Sequence, residues 1–138
     1  MPPFQQLLIP APILAEAIDH ARSELPRECC GLLAGTRDGR VVRRFPIRND
    51  RMSETEYATN PRDLLDAMKA MRADGLEPLA IYHSHPASAP IPSKKDVADN
   101  TWGETVVHLI VGLAGPEPQV RAWWLGEYEF REAEWMVA

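Results

Sequence analysis

His83 and His85 stand two residues apart in the stretch IYHSHPASAPIPSKKD (81–96), and Ser93 and Asp96 follow after a loop of small residues and prolines. In a strand, residues i and i+2 face the same way, so the two imidazoles would project side by side with Ser84 behind them. Two neutral imidazoles on one face form half of a zinc site; a catalytic zinc takes one more protein ligand and leaves its fourth position to water. Asp96 can supply that ligand if the loop PASAPIP turns the chain back, a path that small residues and prolines suit. The same residues also have a reading that needs no metal. Ser93-Lys-Lys-Asp96 fits a capping box, with Ser93 as N-cap and Asp96 at the third helical position. The two roles are compatible, because Ser93 can cap a helix while Asp96 faces the histidines.

The elements that must position these groups are legible from periodicity and punctuation. EPLAIYHSH reads as a strand that ends in the paired histidines, and residues 93–102 read as a short helix. Before them, Asn60 as N-cap, Pro61 at N1, apolar Leu64, Leu65, Met68 and Met71, and Gly75 as stop mark a helix. Leu14, Ala17, Ile18, Ala21 and Leu25 recur at helical spacing until Pro26. FQQLLI (4–9), CCGLLAG, VVRRFPI, TVVHLIVGLA and QVRAWWLG read as strands, the second and third joined as a hairpin through TRDGR. Residues 48–59 show no period, and the last dozen residues carry no assignment. These elements predict an α+β domain, a mixed and mostly antiparallel sheet packed with two or three helices. One of Trp123 and Trp124 should face outward if 119–125 is a strand. His108, inside an apolar strand, reads as a hydrogen-bonded core or edge residue, and His20 as a solvated residue on the polar side of the first helix.

Bulk composition narrows the function classes. The 138 residues suit a single domain spanning 1–138, and a 45% apolar, 25% charged composition is that of an ordinary globular protein. A formal charge of −5 without a basic run excludes an obvious nucleic-acid surface. No apolar stretch approaches the ~20 residues of a membrane span. The N-terminal MPPFQQLLIPAPI lacks a basic region and is broken by prolines, so no signal peptide is expected and the expected location is cytoplasmic. Cys29 and Cys30 are neighbours with no second pair to build a framework, which points to reduced thiols buried in a strand.

The constellation H-S-H-P, then S-x-x-D with six residues between the proline and the serine, resembles the JAMM (MPN-plus) zinc metalloprotease motif. That family places a glutamate upstream, at the start of a strand before Gly-Leu-Leu, and LPRECCGLLAG offers Glu28 in that context; Glu24, the nearby competitor, lies on the helix side of Pro26. Asn49, Tyr57 and Pro61 follow the pattern of short bacterial members, and VVHLIVGL with VRAWW resembles their closing strands, so the likeness covers residues 7–125. No motif residue departs from the pattern, as it would in an inactive MPN scaffold. The resemblance implies an MPN/JAMM-like domain in which His83, His85 and Asp96 bind Zn2+ with a water in the fourth position. It implies Glu28 as the general base and Ser93 as the donor to the developing oxyanion.

The resemblance also implies a substrate class. Family members cleave peptide or isopeptide bonds after the Gly-Gly tail of ubiquitin or ubiquitin-like proteins. This chain is close to the minimal domain, with residues 48–59 as the one extra grip, and is similar to stand-alone bacterial members that process ubiquitin-fold sulfur-carrier proteins. The expected partner is therefore such a protein, engaged through its C-terminal tail, with cysteine as one expected product. Two alternatives stand beside it. One is a JAMM peptidase acting on cell-wall or phage-related substrates. The other is an MPN-type partner-binding module with a non-catalytic zinc, which would need a fourth protein ligand that the sequence does not evidently offer.

Overall fold

A computed structural model describes residues 2–138. The elements run β1 (Gln6–Ile9), α1 (Ala11–Ser23), β2 (Cys30–Gly35), β3 (Val41–Ile47), α2 (Pro61–Ala73), β4 (Glu77–His85), α3 (Lys94–Ala98), β5 (Val107–Gly112), β6 (Gln119–Leu125) and β7 (Phe130–Val137). Capping chemistry sets the helix ends. The Asn60 side chain accepts the Asp63 N–H at 2.9 Å, Pro61 sits where a missing N–H costs nothing, and Gly75 closes α2 at φ +68°. The buried stripe of α2 is Leu64, Ala67 and Met71, whereas Leu65 and Met68 face solvent. α1 buries only the small Ala17 and Ala21 between its partly buried Ile13, Leu14 and Ile18. α3 is shorter than the 93–102 expected, at five residues.

The strands form one seven-stranded sheet in the order β1-β7-β6-β5-β4-β2-β3. It is mixed, as expected: β1 with β7 and β4 with β5 run parallel, and the remaining neighbours are antiparallel. α1 packs on one face, over Leu33, Ala80, Tyr82, Leu109 and Ala122. α2 packs on the other, over Cys30, Leu32 and Ile81. With both faces covered, β4 is buried continuously from Leu79 to His85.

Coverage on both sides also corrects the expectation for the tryptophans. Trp124 packs in the α1-side cluster, with its ring 5.4 Å from that of Phe4, and Trp123 lies under the loop after β4; each is 6% exposed. The unassigned last dozen residues supply β7, which pairs with β6 and takes β1 on its other edge. Among the described residues no helix is long and apolar enough to cross a membrane.

Candidate metal centre

β4 and β5 run parallel, so the loops that follow them leave from the same end of the sheet, the position where α/β sheets generally place ligands. His83 and His85 occupy that end of β4, both buried and on the face opposite α1, as their two-residue spacing requires. The chain then crosses β5 and β6. Gly112 permits this, because a Cβ there would stand 2.8 Å from the Pro90 ring. Two donors fasten the crossing: Trp123 Nε1–H to the Pro90 carbonyl at 2.9 Å and His85 Nδ1 to the Ala89 carbonyl at 2.8 Å. α3 next begins with a complete capping box. Ser93 Oγ accepts the Asp96 N–H at 3.0 Å, and Asp96 Oδ2 accepts the Ser93 N–H at 2.9 Å. The cap and the approach to the histidines are thus made by the same side chain.

Asp96 Oδ2 lies 3.2 Å from His83 Nε2 and 3.1 Å from His85 Nε2, and the two Nε2 atoms are 3.2 Å apart. These three residues are a buried group able to hold a metal ion. Because only an N–H can approach the Ala89 carbonyl so closely, His85 carries its proton on Nδ1 and keeps the Nε2 lone pair. Burial works against the charge of Asp96, yet the two histidines beside it and the Ser93 N–H hold its carboxyl far below the usual carboxylate range. Burial pulls His83 down and wins there; at His85 the contacts with Asp96 and Ala89 outweigh burial and raise it. The ring of Tyr57 stacks on His83 at 4.6 Å between centroids, with 27° between planes.

Glu28 sits just before β2, 3% exposed, with Oε1 buried and without a partner. Burial is the main cause that pushes its carboxyl up to about 8; the charge of His85 opposes this and that of Asp96 adds to it. Segment 48–59 holds its backbone: the Glu28 N–H donates to the Ser53 carbonyl at 2.8 Å and Asn49 Nδ2 donates to the Glu28 carbonyl at 3.0 Å. The Asn49 side chain is a hub of that segment, since it also donates to the Glu56 carbonyl and accepts from the N–H groups of Arg51 and Ala58. The segment therefore positions Glu28 as well as flanking the site. A cleft of about 430 Å³ runs between it and residues 99–102, with Tyr57, Thr59, Asp96 and Trp102 in its walls.

Other expectations resolve plainly. Ser84 points behind the histidines and its Oγ accepts the Cys29 N–H at 2.8 Å. Cys29 and Cys30 are free and buried, and burial pushes Cys29 up to about 12 and Cys30 higher still, so neither is a nucleophile. His20 is not simply solvated: its Nδ1 meets the Tyr82 hydroxyl at 2.7 Å on the α1 face. His108 is in the core, but both of its ring nitrogens lack the hydrogen bond expected for it. The anchoring roles of Trp123 and Gly112 have no signal in the sequence beyond an H-bonding or small residue in an otherwise ordinary strand, and that of Asn49 has only its place in the family pattern.

Residues 10–126 match the model of a family described as prokaryotic homologs of the JAB domain. The chain is 40% identical over 122 residues to a probable TtuB-protein conjugate cleaving protease of Thermus thermophilus, covering 88% of this chain and 77% of that one. It is 37% identical over 92 residues to the CysO-cysteine peptidase of Mycobacterium tuberculosis, covering 66% of this chain and 63% of that one. The solution structure of a protein from Desulfitobacterium hafniense superposes with a TM-score of 0.87 at 33% identity, over 96% of this chain and 92% of that one. The matched span contains the whole His83, His85, Asp96, Ser93 and Glu28 constellation, and on these grounds the chain belongs to the prokaryotic homologs of the JAB domain and is a hydrolytic enzyme.

Proposed function

We propose that this chain is a zinc-dependent peptidase that hydrolyses the bond following the C-terminal Gly-Gly of a ubiquitin-like or sulfur-carrier protein, in the cytoplasm. The observation that carries the reading is the convergence of three ligand atoms 3.1–3.2 Å apart with a buried carboxylate nearby whose Oε1 has no partner. Ligand atoms around a tetrahedral zinc with bonds of ~2.0–2.1 Å stand roughly 3.3 Å apart, so His83, His85 and Asp96 fit that ion with little rearrangement. With only these three protein ligands, a fourth position stays open, which favours catalysis over a structural zinc. Bound there, zinc acidifies water and polarises a carbonyl oxygen.

The remaining steps belong to the chain's own side chains. Glu28 takes the proton of the attacking water and passes it to the leaving nitrogen, a task for which a carboxyl of raised basicity is suited. Ser93 Oγ accepts the Asp96 N–H, which leaves its own O–H free to donate to the carbonyl oxygen as negative charge develops. The cleft beside Asp96 would receive an extended tail, whose glycines need little width. The names of the two relatives support this class, one a conjugate cleaving protease and the other a CysO-cysteine peptidase.

The test is intact mass spectrometry of a ubiquitin-fold carrier extended past Gly-Gly by one cysteine, incubated with zinc-loaded protein and with Glu28→Ala. Loss of one cysteine residue mass with the wild type alone is the expected result. A carrier left whole, together with an intact isopeptide conjugate of the same tail, would overturn the substrate assignment.

A further inference from the structure

Among the described residues, the buried side-chain atoms that lack any partner are Glu28 Oε1, His83 Nδ1 and both ring nitrogens of His108. The mechanism above uses the first. The other three belong to two imidazoles on the same face of adjacent strands. In the parallel register of β4 and β5, His108 pairs with Ile81 and His83 pairs with Ile110, so His108 is the diagonal neighbour of His83. Diagonal neighbours on one face of a sheet stand roughly 7–8 Å apart, within reach of aromatic and long side chains.

We propose that His108 is the hydrogen-bond acceptor for His83 Nδ1–H, directly or through one trapped water, and so a positioning residue for a metal ligand. This rests on the metal-site reading above. With its Nε2 lone pair turned to the site, His83 must carry its proton on Nδ1 and needs an acceptor there. Metal-binding histidines almost always have one. His85 has the Ala89 carbonyl and Asp96 has the Ser93 N–H, whereas His83 has none.

The other neighbours of His83 are committed elsewhere. Cys30, opposite it on β2, directs its thiol toward the Ile47 carbonyl at 3.4 Å, and Tyr57 covers the ring face rather than its edge. His108 remains, buried with both ring nitrogens unpartnered, and a neutral imidazole offers a lone pair on one of them. No other assignment gives a reason for an imidazole with two orphaned nitrogens in an otherwise apolar strand.

The test uses His108→Leu and His108→Gln in the full chain. Zinc affinity is read by chelator competition, together with the visible spectrum of the cobalt-loaded protein and the melting temperature of the metal-free form. Leucine removes the acceptor without introducing a polar group, so the metal-free protein should melt no lower than wild type while zinc affinity falls about 10–100-fold. Glutamine, which restores an acceptor, should recover most of that loss. Wild-type zinc affinity in His108→Leu would overturn the inference. Failure of the wild type itself to bind zinc would instead overturn the metal-site reading.

Should neither variant fold, nitrogen-15 NMR of the wild type decides the matter. The His83 Nδ1–H proton must exchange slowly, and one His108 ring nitrogen must show the shift of a lone pair that accepts a hydrogen bond. A fast-exchanging His83 proton, or a His108 lone pair with the shift of a free one, would refute the assignment.

Discussion

The two faces of β4 treat polar groups in opposite ways. On the α1 face, Tyr82 and Ser84 are as buried as the histidines, yet both are satisfied: the Tyr82 hydroxyl meets His20 at 2.7 Å and Arg44 at 3.0 Å, and Ser84 Oγ accepts the Cys29 N–H. Gly31 is shaped by that face, since a Cβ there would lie 2.3 Å from the Tyr82 ring. On the other face stand all the buried unpartnered side-chain atoms found among the described residues, on Glu28, His83 and His108. A buried polar group without a partner costs about 1–3 kcal/mol. The face that carries several such groups is therefore kept for something other than stability, and the satisfied face is what holds it in place.

The strongest attempt to break this contrast is His85→Ala. It should lower hydrolysis to the level of the metal-stripped protein and lose the bound zinc, measured as metal content after gel filtration. Glu28→Gln comes next. Metal content should stay at the wild-type level while kcat falls about 10²–10⁴-fold, the usual worth of a positioned general base. Retained turnover would remove Glu28 from the mechanism and leave its burial unexplained. Ser93→Ala should cost about 10²–10³-fold in kcat and, separately, about 1 kcal/mol of stability through the lost cap. A variant that loses stability alone would show that Ser93 serves only the helix.

The pH dependence of the metal-free protein sharpens the same contrast. Glu28 has a folded value of about 8 against an ordinary 4.5. Between these values the folded state holds a proton that the unfolded state has released, so stability falls as pH rises from 4.5 to 8. Full burial would make this roughly 5 kcal/mol at ~1.4 kcal/mol per unit; allowing for screening, about 2 kcal/mol is expected. His108 acts in the opposite window. Its folded value near 3 lies below an ordinary 6.5, so its share of stability is lost as pH falls from 6.5 to 3. From pH 4.5 to 6.5 the two slopes oppose and cancel. Urea titrations of the metal-free wild type should therefore show stability falling only above pH ~6.5, and Glu28→Gln should abolish that fall and let the His108 acid limb extend up to ~6.5.

How much of this was legible from sequence follows from where the information is local. The H-x-H spacing and the Ser93–Asp96 cap are short-range rules, and both hold in the structure. Asn60, Pro61 and Gly75 mark α2 for the same reason. What local rules cannot see is which faces are covered. Trp123 and Trp124 alternate as strand residues should, but neither faces water because a loop covers one and α1's side of the core the other. β7 escapes detection because FREAEWMV buries only Ala133 fully, so its alternation is polar against partly exposed rather than polar against apolar. His20 is misread for the same cause: a helix face that looks polar in sequence meets a tyrosine hydroxyl that arrives from residue 82. Asn49 follows the family pattern without disclosing that its four hydrogen bonds fold segment 48–59 around Glu28.

The smallest effect tests the quiet side of the comparison. Tyr82→Phe removes a hydroxyl that His20 and Arg44 both contact, and Arg44 also holds Glu16 at 3.2 Å. The ring that fills the space over Gly31 stays, so the loss is confined to hydrogen bonding: about 1–2 kcal/mol by chemical denaturation, typical for a partnered buried hydroxyl. Tyr82 immediately precedes His83 in β4, but its side chain points to the α1 face. If that face only supports, kcat and zinc affinity in Tyr82→Phe should remain within about twofold of wild type, because a shift of that size corresponds to less than ~0.5 kcal/mol. A tenfold drop in either quantity, with stability unchanged, would mean that the satisfied network tunes the histidines through the strand. The two faces would then be one device rather than a site and its support.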